Sequence, residues 1–428
     1  FRVREVLLVS SLYDAFSLQE DGLLTEQVLL EYRELRLTSA PRFYHVQDRD
    51  EALAAIHKRW YDLVLLVTRL PDMELVSLAR EIKQRYPGKA VVVVGFDSVE
   101  LEQLQPMVSS DTIDGLFLWN GDTRVMLAIV KYIEDKANID NDIAVADLRM
   151  ILVVENSIEY YSSFLSALYP ELMKQSQSLS SDAVNRLQKV VRMRTRPKIL
   201  HAYNYEQAVD IFERYKDNIL AVISDVGYKR RGKMDHQAGL RLLKKVRANR
   251  SDLPFLLQSA QNDWSVKAEE YEALFVNKNS ATLLNDIRQF LIDYLGFGAF
   301  IFRNSYGNEI CRANDLNDFT ECIRTLDIDS LAYHAQREHF SIWLRARSEF
   351  YMANLFKSIK FENYTNTEDL RKELIENLDN RNFREMMGII IDFSYSNFKK
   401  GALFQRIGSG SIGGKARGIA FLNYLLYG

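Results

Sequence analysis

Short, almost uninterrupted apolar runs alternate with amphipathic stretches over most of this chain. The first runs are Arg4-Glu-Val-Leu-Leu-Val-Ser, Phe43-Tyr-His-Val, Leu63-Val-Leu-Leu-Val, Ala90-Val-Val-Val-Val-Gly and Gly115-Leu-Phe-Leu. Between them lie stretches of helical spacing: Leu23 to Leu35, a segment from Glu51, Glu74 to Arg85, a segment near Leu101 and Thr123 to Lys136. Runs apolar at every position are buried on both faces, as in a parallel sheet. Strict alternation with helices predicts a doubly wound α/β domain.

The cycle then repeats. Met150-Ile-Leu-Val-Val, Ile199-Leu-His-Ala, Leu220-Ala-Val-Ile-Ser, Pro254-Phe-Leu-Leu-Gln and Ala273-Leu-Phe-Val are five further strands, with a last helix from Ala281 to Tyr294. The fold class is therefore α/β: two tandem five-stranded parallel sheets of flavodoxin-like order, followed by an α-helical region. A basic insertion, Ser176 to Arg196, reads as an extended helix plus loop and a solvated face. Past Gly298 the pattern changes. Ile310 to Leu326 is polar and mixed. Asp329 to Lys360 reads as one long helical stretch rich in aromatics, forming core or a docking face. Asp369 to Asn380 and Asn382 to Phe398 read as two more helices. The expected domains are 1–140, 147–298 with the insertion, a mainly helical connector 299–400, and 401–428 as the start of a further domain. A first residue that is Phe rather than Met and a helix that stops at Gly428 suggest a chain trimmed at both ends.

Composition narrows this modestly. The 428 residues carry a net charge of -3, so no global basic excess invites nucleic acid or acidic lipid. No apolar run is long enough to cross a membrane, and no signal peptide opens the chain. Cys311 and Cys322 fit no zinc or disulfide pattern, and so few cysteines fit a reducing, cytoplasmic setting. His334 and His339 are five apart, off a shared helical face, which argues against a metal site.

Doubly wound domains place their sites at the carboxyl ends of the strands. In the second repeat those positions hold Glu155 and Asn156, then Asp225, Ser259 and Lys278. An acceptor carboxylate needs its charge offset by a cation, and a hydroxyl can stabilise phosphoryl oxygens. The set resembles the response-regulator receiver domain. The resemblance implies Asp225 as phospho-acceptor, Ser259 as switch hydroxyl, Lys278 as phosphate-sensing cation and Phe275 as aromatic switch. It implies a Mg²⁺ held by Glu155, Asn156, Asp225 and the Gly227 carbonyl. Two positions depart from the family: Asn156 stands where a second acid is usual, and Lys278-Asn279 replaces Lys-Pro. In the first repeat Ser10 and Ser11 stand for the acids, Val67 for the acceptor, Gly95 for the hydroxyl and Trp119 for the lysine. A valine cannot accept phosphate, so this domain resembles a pseudo-receiver used for packing or partner contact.

Near the end, Gly408-Ser-Gly-Ser-Ile-Gly-Gly-Lys-Ala-Arg-Gly reads as a phosphate-binding loop leading into a helix, though not a Walker A loop. It resembles the opening of the nucleotide-binding domain of phosphoenolpyruvate synthase and pyruvate phosphate dikinase, with Gly413, Gly414 and Lys415 at ATP. The resemblance implies a bacterial parent, an ATP-dependent phosphotransferase, of which this chain is a regulatory part not catalytic by itself. A histidine kinase or small-molecule phosphodonor would act on Asp225 and so gate the downstream ATP-binding domain. Lys229, Arg230, Arg231 and Lys233 could attract that donor or an acidic partner face. The alternative is a phosphorylation-independent scaffold or homodimerisation module of two inactive receivers.

Overall fold

The computed structural model describes residues 1–19, 24–37, 39–68, 75–109, 111–146, 148–180, 196–250, 253–304, 306–347, 349–359, 367–386, 390–393, 404–408 and 412–427. The chain forms two compact units, one holding residues 1–175 and 195–290, the other centred on 291–428. Both parallel sheets lie in the first unit.

The first sheet comprises β1 (Glu5–Val9), β2 (Arg42–Val46), β3 (Leu63–Val67), β4 (Ala90–Gly95) and β5 (Gly115–Leu118), in the order β2-β1-β3-β4-β5. The second comprises β6 (Met150–Val154), β7 (Lys198–Ala202), β8 (Ile219–Asp225), then β11 (Phe255–Ser259) and β12 (Leu274–Asn277), in the order β7-β6-β8-β11-β12. Both are all-parallel, and both have the 2-1-3-4-5 order of the flavodoxin-like fold. The α/β tandem expected from the pattern is thus the observed architecture. Every residue of β3, β4 and β6 is buried, as runs of Val, Leu and Ile without alternation demand.

Helices cover the faces: in the first repeat Leu12–Gln19 (α1), Leu24–Glu34 (α2), Arg49–Lys58 (α3), Leu75–Arg85 (α4), Ser98–Leu104 (α5) and Arg124–Ala146 (α6). In the second they are Ile158–Ser180 (α7), Tyr205–Tyr215 (α8), Ala238–Asn249 (α9), Trp264–Glu270 (α10) and Leu283–Tyr294 (α11). Helix α6 runs ten residues past the predicted end at Lys136. Each of its residues from Val125 to Asp135 is buried. A helix buried all round needs partners on every side. Here one side lies against the first repeat and the other against β7 of the second.

A feature absent from the sequence reading follows β8. Tyr228–Arg230 (β9) and Lys233–Asp235 (β10) form an antiparallel hairpin, turned by Arg231 and Gly232, both at positive φ. Two positive φ values in succession make the turn type favoured between twisted strands.

The second unit corrects several expectations. Asp329 to Lys360 is not one helix but three, Ile328–Gln336 (α12 precedes them at Leu316–Thr325, making these α13), His339–Ala346 (α14) and Phe350–Ser358 (α15). Glu338, at φ 55, breaks the chain between the first two. The mixed region before them is a hairpin of Phe300–Arg303 (β13) and Glu309–Ala313 (β14) followed by α12. Phe300, Phe302, Phe319, Phe340, Trp343 and Phe356 pack into one core. Thr367–Met386 is a single helix, α16, and Ile390–Asp392 is a strand (β15) paired with Phe404–Arg406 (β16), where two helices were expected. Cys311 on β14 and Cys322 on α12 are joined by a disulfide, with Cα atoms 6.1 Å apart. They are not the unpaired thiols inferred from spacing, so the compositional argument for a reducing setting is withdrawn. The Glu338 turn also brings His334 and His339 together, Nδ1 to Nδ1 at 3.0 Å, where helical spacing had set them apart. Among the described residues no cluster of three or more His, Cys, Asp or Glu could hold a metal, and no helix is long and apolar enough to cross a membrane. The basic insertion begins within α7, and its residues 181–195 lie outside the described residues.

Candidate functional site

The carboxyl ends of β6, β8, β11 and β12 bring the predicted residues of the second repeat together. Asp225 is the last residue of β8 and Ser259 the last of β11, while Glu155 and Lys278 directly follow β6 and β12. The Lys278 ammonium bridges both acids: its Nζ is 3.1 Å from Asp225 Oδ1 and also pairs with Glu155 Oε2. The Lys278 and Glu155 side chains are almost fully buried and Asp225 is about one-sixth exposed. Burial pushes the Glu155 carboxyl up to about 7; Lys278 opposes this and Asp225 adds to it. Burial also raises Asp225, against the pull of Lys278 and the backbone N–H groups of Val226 and Gly227. Two carboxylates share one ammonium in a nearly dry crevice, so each makes the other harder to ionise.

The remaining residues frame this triad. Ser259 Oγ accepts the Gln261 N–H at 3.1 Å, which leaves its hydroxyl proton to donate elsewhere. Phe275, on β12, is half-buried against the core of the second repeat. Gly227 follows Asp225 by two residues and stands beside the β9–β10 hairpin. Asp235 of that hairpin pairs with Arg230 and with Arg241 of α9, whereas Lys229 and Lys233 are exposed. Gly413, Gly414 and Lys415 stand exposed at the start of Gly414–Tyr427 (α17), in the other unit. Ser409 to Ser411 lie outside the described residues.

The donor set fits a hard divalent cation in kind: Glu155 and Asp225 offer carboxylate oxygens, Asn156 an amide oxygen and Gly227 a carbonyl. Convergence of both carboxylates on one ammonium shows that their oxygens reach a common point. The set holds one acid fewer than three.

Sequence reasoning missed three residues. Tyr160, on the first turn of α7, lays its ring 4.5 Å from Lys278 Nζ, and its hydroxyl donates to Asn279 Oδ1. His201 Nε2 bonds the Glu155 carbonyl at 2.8 Å. Gln105, from the first repeat, donates to the Asn156 carbonyl at 3.0 Å. Tyr160 comes from the helix that follows Glu155; the other two arrive from a strand and a turn distant in sequence.

Register identifies the corresponding positions in the first repeat. Val9 pairs with Leu66 and Val154 with Ser224, which aligns Val67 with Asp225. Val67 pairs with Val94 and Asp225 with Gln258, which aligns Gly95 with Ser259. Gly95 pairs with Leu118 and Ser259 with Asn277, which aligns Trp119 with Lys278. The backbone bonds match as well: Trp119 N to Gly95 O and Lys278 N to Ser259 O. Even the histidine is duplicated, since His45 Nε2 bonds the Ser10 carbonyl at 2.9 Å.

No protein-family model matches this chain, and no curated protein does. Among solved structures it is similar to a signal receiver domain, to a putative two-component system response regulator/GGDEF domain protein and to NtrX. The signal receiver domain of an HD domain-containing protein from Pseudomonas fluorescens Pf-5 is 20% identical and aligns over 33% of this chain and 94% of its own, with a TM-score of 0.26. NtrX from Brucella abortus is 12% identical over 100% of this chain and 93% of its own, with a TM-score of 0.27. The α/β class of the chain rests on the strand order of its own two sheets.

Proposed function

We propose that the second repeat is a phospho-accepting receiver, that the first is its non-accepting partner, and that the chain is a phosphorylation-responsive regulatory module. The observation that carries this is the buried Asp225–Lys278–Glu155 triad at the carboxyl ends of three strands. An Asp225 carboxylate oxygen attacks the phosphorus of a phosphohistidine or a small acyl phosphate. A P–O bond forms to Asp225 and the donor's P–N or P–O bond breaks, its electron pair leaving with the imidazole or carboxylate. Lys278 offsets charge on the transferred group and Ser259 donates to one of its oxygens. A Mg²⁺ held by Glu155, Asn156, Asp225 and the Gly227 carbonyl would offset further phosphoryl charge. Once Asp225 carries the phosphoryl group as an acyl phosphate, Lys278 turns from the Asp225 carboxylate to the phosphoryl oxygens, and this local change of charge is the switch.

The finer reading is that the module gates a downstream ATP-using domain of the phosphoenolpyruvate synthase or pyruvate phosphate dikinase type. It rests on the Gly413-Gly414-Lys415 resemblance. Acetyl phosphate with Mg²⁺, followed by intact mass, tests the acceptor: one phosphoryl adduct is expected, absent in Asp225→Asn. No adduct, and no tryptophan fluorescence change with beryllofluoride, would leave the phosphorylation-independent scaffold.

A further inference from the structure

The turn that carries the pocket's first two residues is gripped by the first repeat. Gln105, in the 3-10 turn Gln105–Met107 that follows α5, donates its side-chain amide to the Asn156 carbonyl at 3.0 Å. Helix α7 starts directly after that turn. It is fastened to β5 by two bonds: Leu118 N–H donates to Ser162 Oγ at 2.9 Å, and the Tyr161 hydroxyl donates to the Leu116 carbonyl. On the other side of Glu155, His201 donates to its carbonyl. A carbonyl only accepts, so His201 carries its proton on Nε2. Burial pushes this histidine down to about 4, so it stays neutral. Its ring is wedged 4.5 Å from Tyr161 and 4.4 Å from Tyr203, with Tyr132 of α6 at 6.4 Å.

We propose that the first repeat is a positioning partner of the acceptor pocket, with Gln105 fixing the Asn156 backbone for cation binding. This inference rests on the acceptor reading above. The physical reason lies in Asn156 itself. A carboxylate would draw a divalent cation by its charge, but a neutral amide cannot, so its contribution depends on being already in place. Gln105 supplies that placement from another domain. Linkage is reciprocal, so a cation in the second repeat in turn steadies the Ser98–Met107 segment of the first.

The experiment uses the whole 428-residue chain. Mg²⁺ alone is titrated by calorimetry into the native chain and Gln105→Leu, and acetyl-phosphate labelling is followed across Mg²⁺ concentration. Loss of one neutral hydrogen bond should raise the Mg²⁺ dissociation constant and the half-saturating Mg²⁺ about 5-fold, leaving the labelling rate at saturating Mg²⁺ within about 2-fold. Hydrogen exchange of the native chain tests the link without any substitution: amides of residues 98–107 should slow when Mg²⁺ is added. An unchanged Mg²⁺ affinity in Gln105→Leu, with labelling intact, would overturn the positioning role and leave the acceptor standing. So would exchange in 98–107 indifferent to Mg²⁺. A native chain that neither binds Mg²⁺ nor labels would overturn both.

Discussion

At the scale of residues, the triad is an electrostatic compromise. Glu155 is held up to about 7 against an ordinary 4.5, because burial outweighs the help of Lys278. The folded chain binds that proton more tightly than the unfolded one. Its contribution to stability is therefore full below the unfolded value and is lost as pH rises through about 7. Glu155→Gln removes the titration. At about pH 8 the variant should be more stable than the native chain by on the order of 1–3 kcal/mol, and by about pH 5 the gap should largely close. Urea unfolding at the two pH values measures it; an equal gap at both would contradict the assignment. Asp225, Ser259 and Lys278 were legible because strand ends are legible: an apolar run stops and the next polar side chain faces the crevice. Glu155 was placed by the same rule, but as a metal ligand; its ion pair with Lys278 was not read. Tyr160, His201 and Gln105 were not legible, since each acts through a ring face or a backbone carbonyl that no residue type announces.

At the scale of elements, α9 comes close against the end of β8 beside the acceptor. A Cβ on Gly239 would lie 2.2 Å from the Asp225 carbonyl oxygen, and Gly239 N–H donates to Val226 O at 2.9 Å. Only a residue without a side chain permits that approach. Gly239→Ala should cost about 2–3 kcal/mol and displace the end of β8, read as a lower denaturation midpoint with slowed labelling of Asp225. The parallel strands were readable from unbroken apolar runs. The three helices α13, α14 and α15 were not separable in sequence, because all turn aromatic or apolar residues toward one core and the break at Glu338 uses neither Gly nor Pro. The β9–β10 hairpin escaped notice because its strands are three residues long and mostly charged.

At the scale of the first compact unit, the two repeats are joined through buried charge. Asp135 of α6 is fully buried and accepts from Arg196 at 2.7 and 3.0 Å, from the Tyr169 hydroxyl at 3.3 Å and from Ile199 N–H at 2.9 Å. Lys198 stands 3.8 Å away and pairs with Asp142 at 2.9 Å. Asp135→Ala would leave Arg196 buried without its counter-ion, costing about 3–5 kcal/mol. The expected result is a lower unfolding midpoint together with faster hydrogen exchange in Lys198–Ala202, the strand docked there; unchanged exchange in that strand would argue that the repeats do not depend on each other. None of this was visible in the sequence, where Asp135 is one acid in a helix of ordinary charge.

Helix α6 has a consequence in time. A ribosome delivers the chain from its first residue, and domains emerging early fold early. The first repeat is complete once α6 has emerged, before β7 has followed it. It therefore presents Asp135 and an apolar flank as a finished mould while its neighbour is still being translated. The later repeat is cast against the earlier one, and its pocket inherits a wall already set.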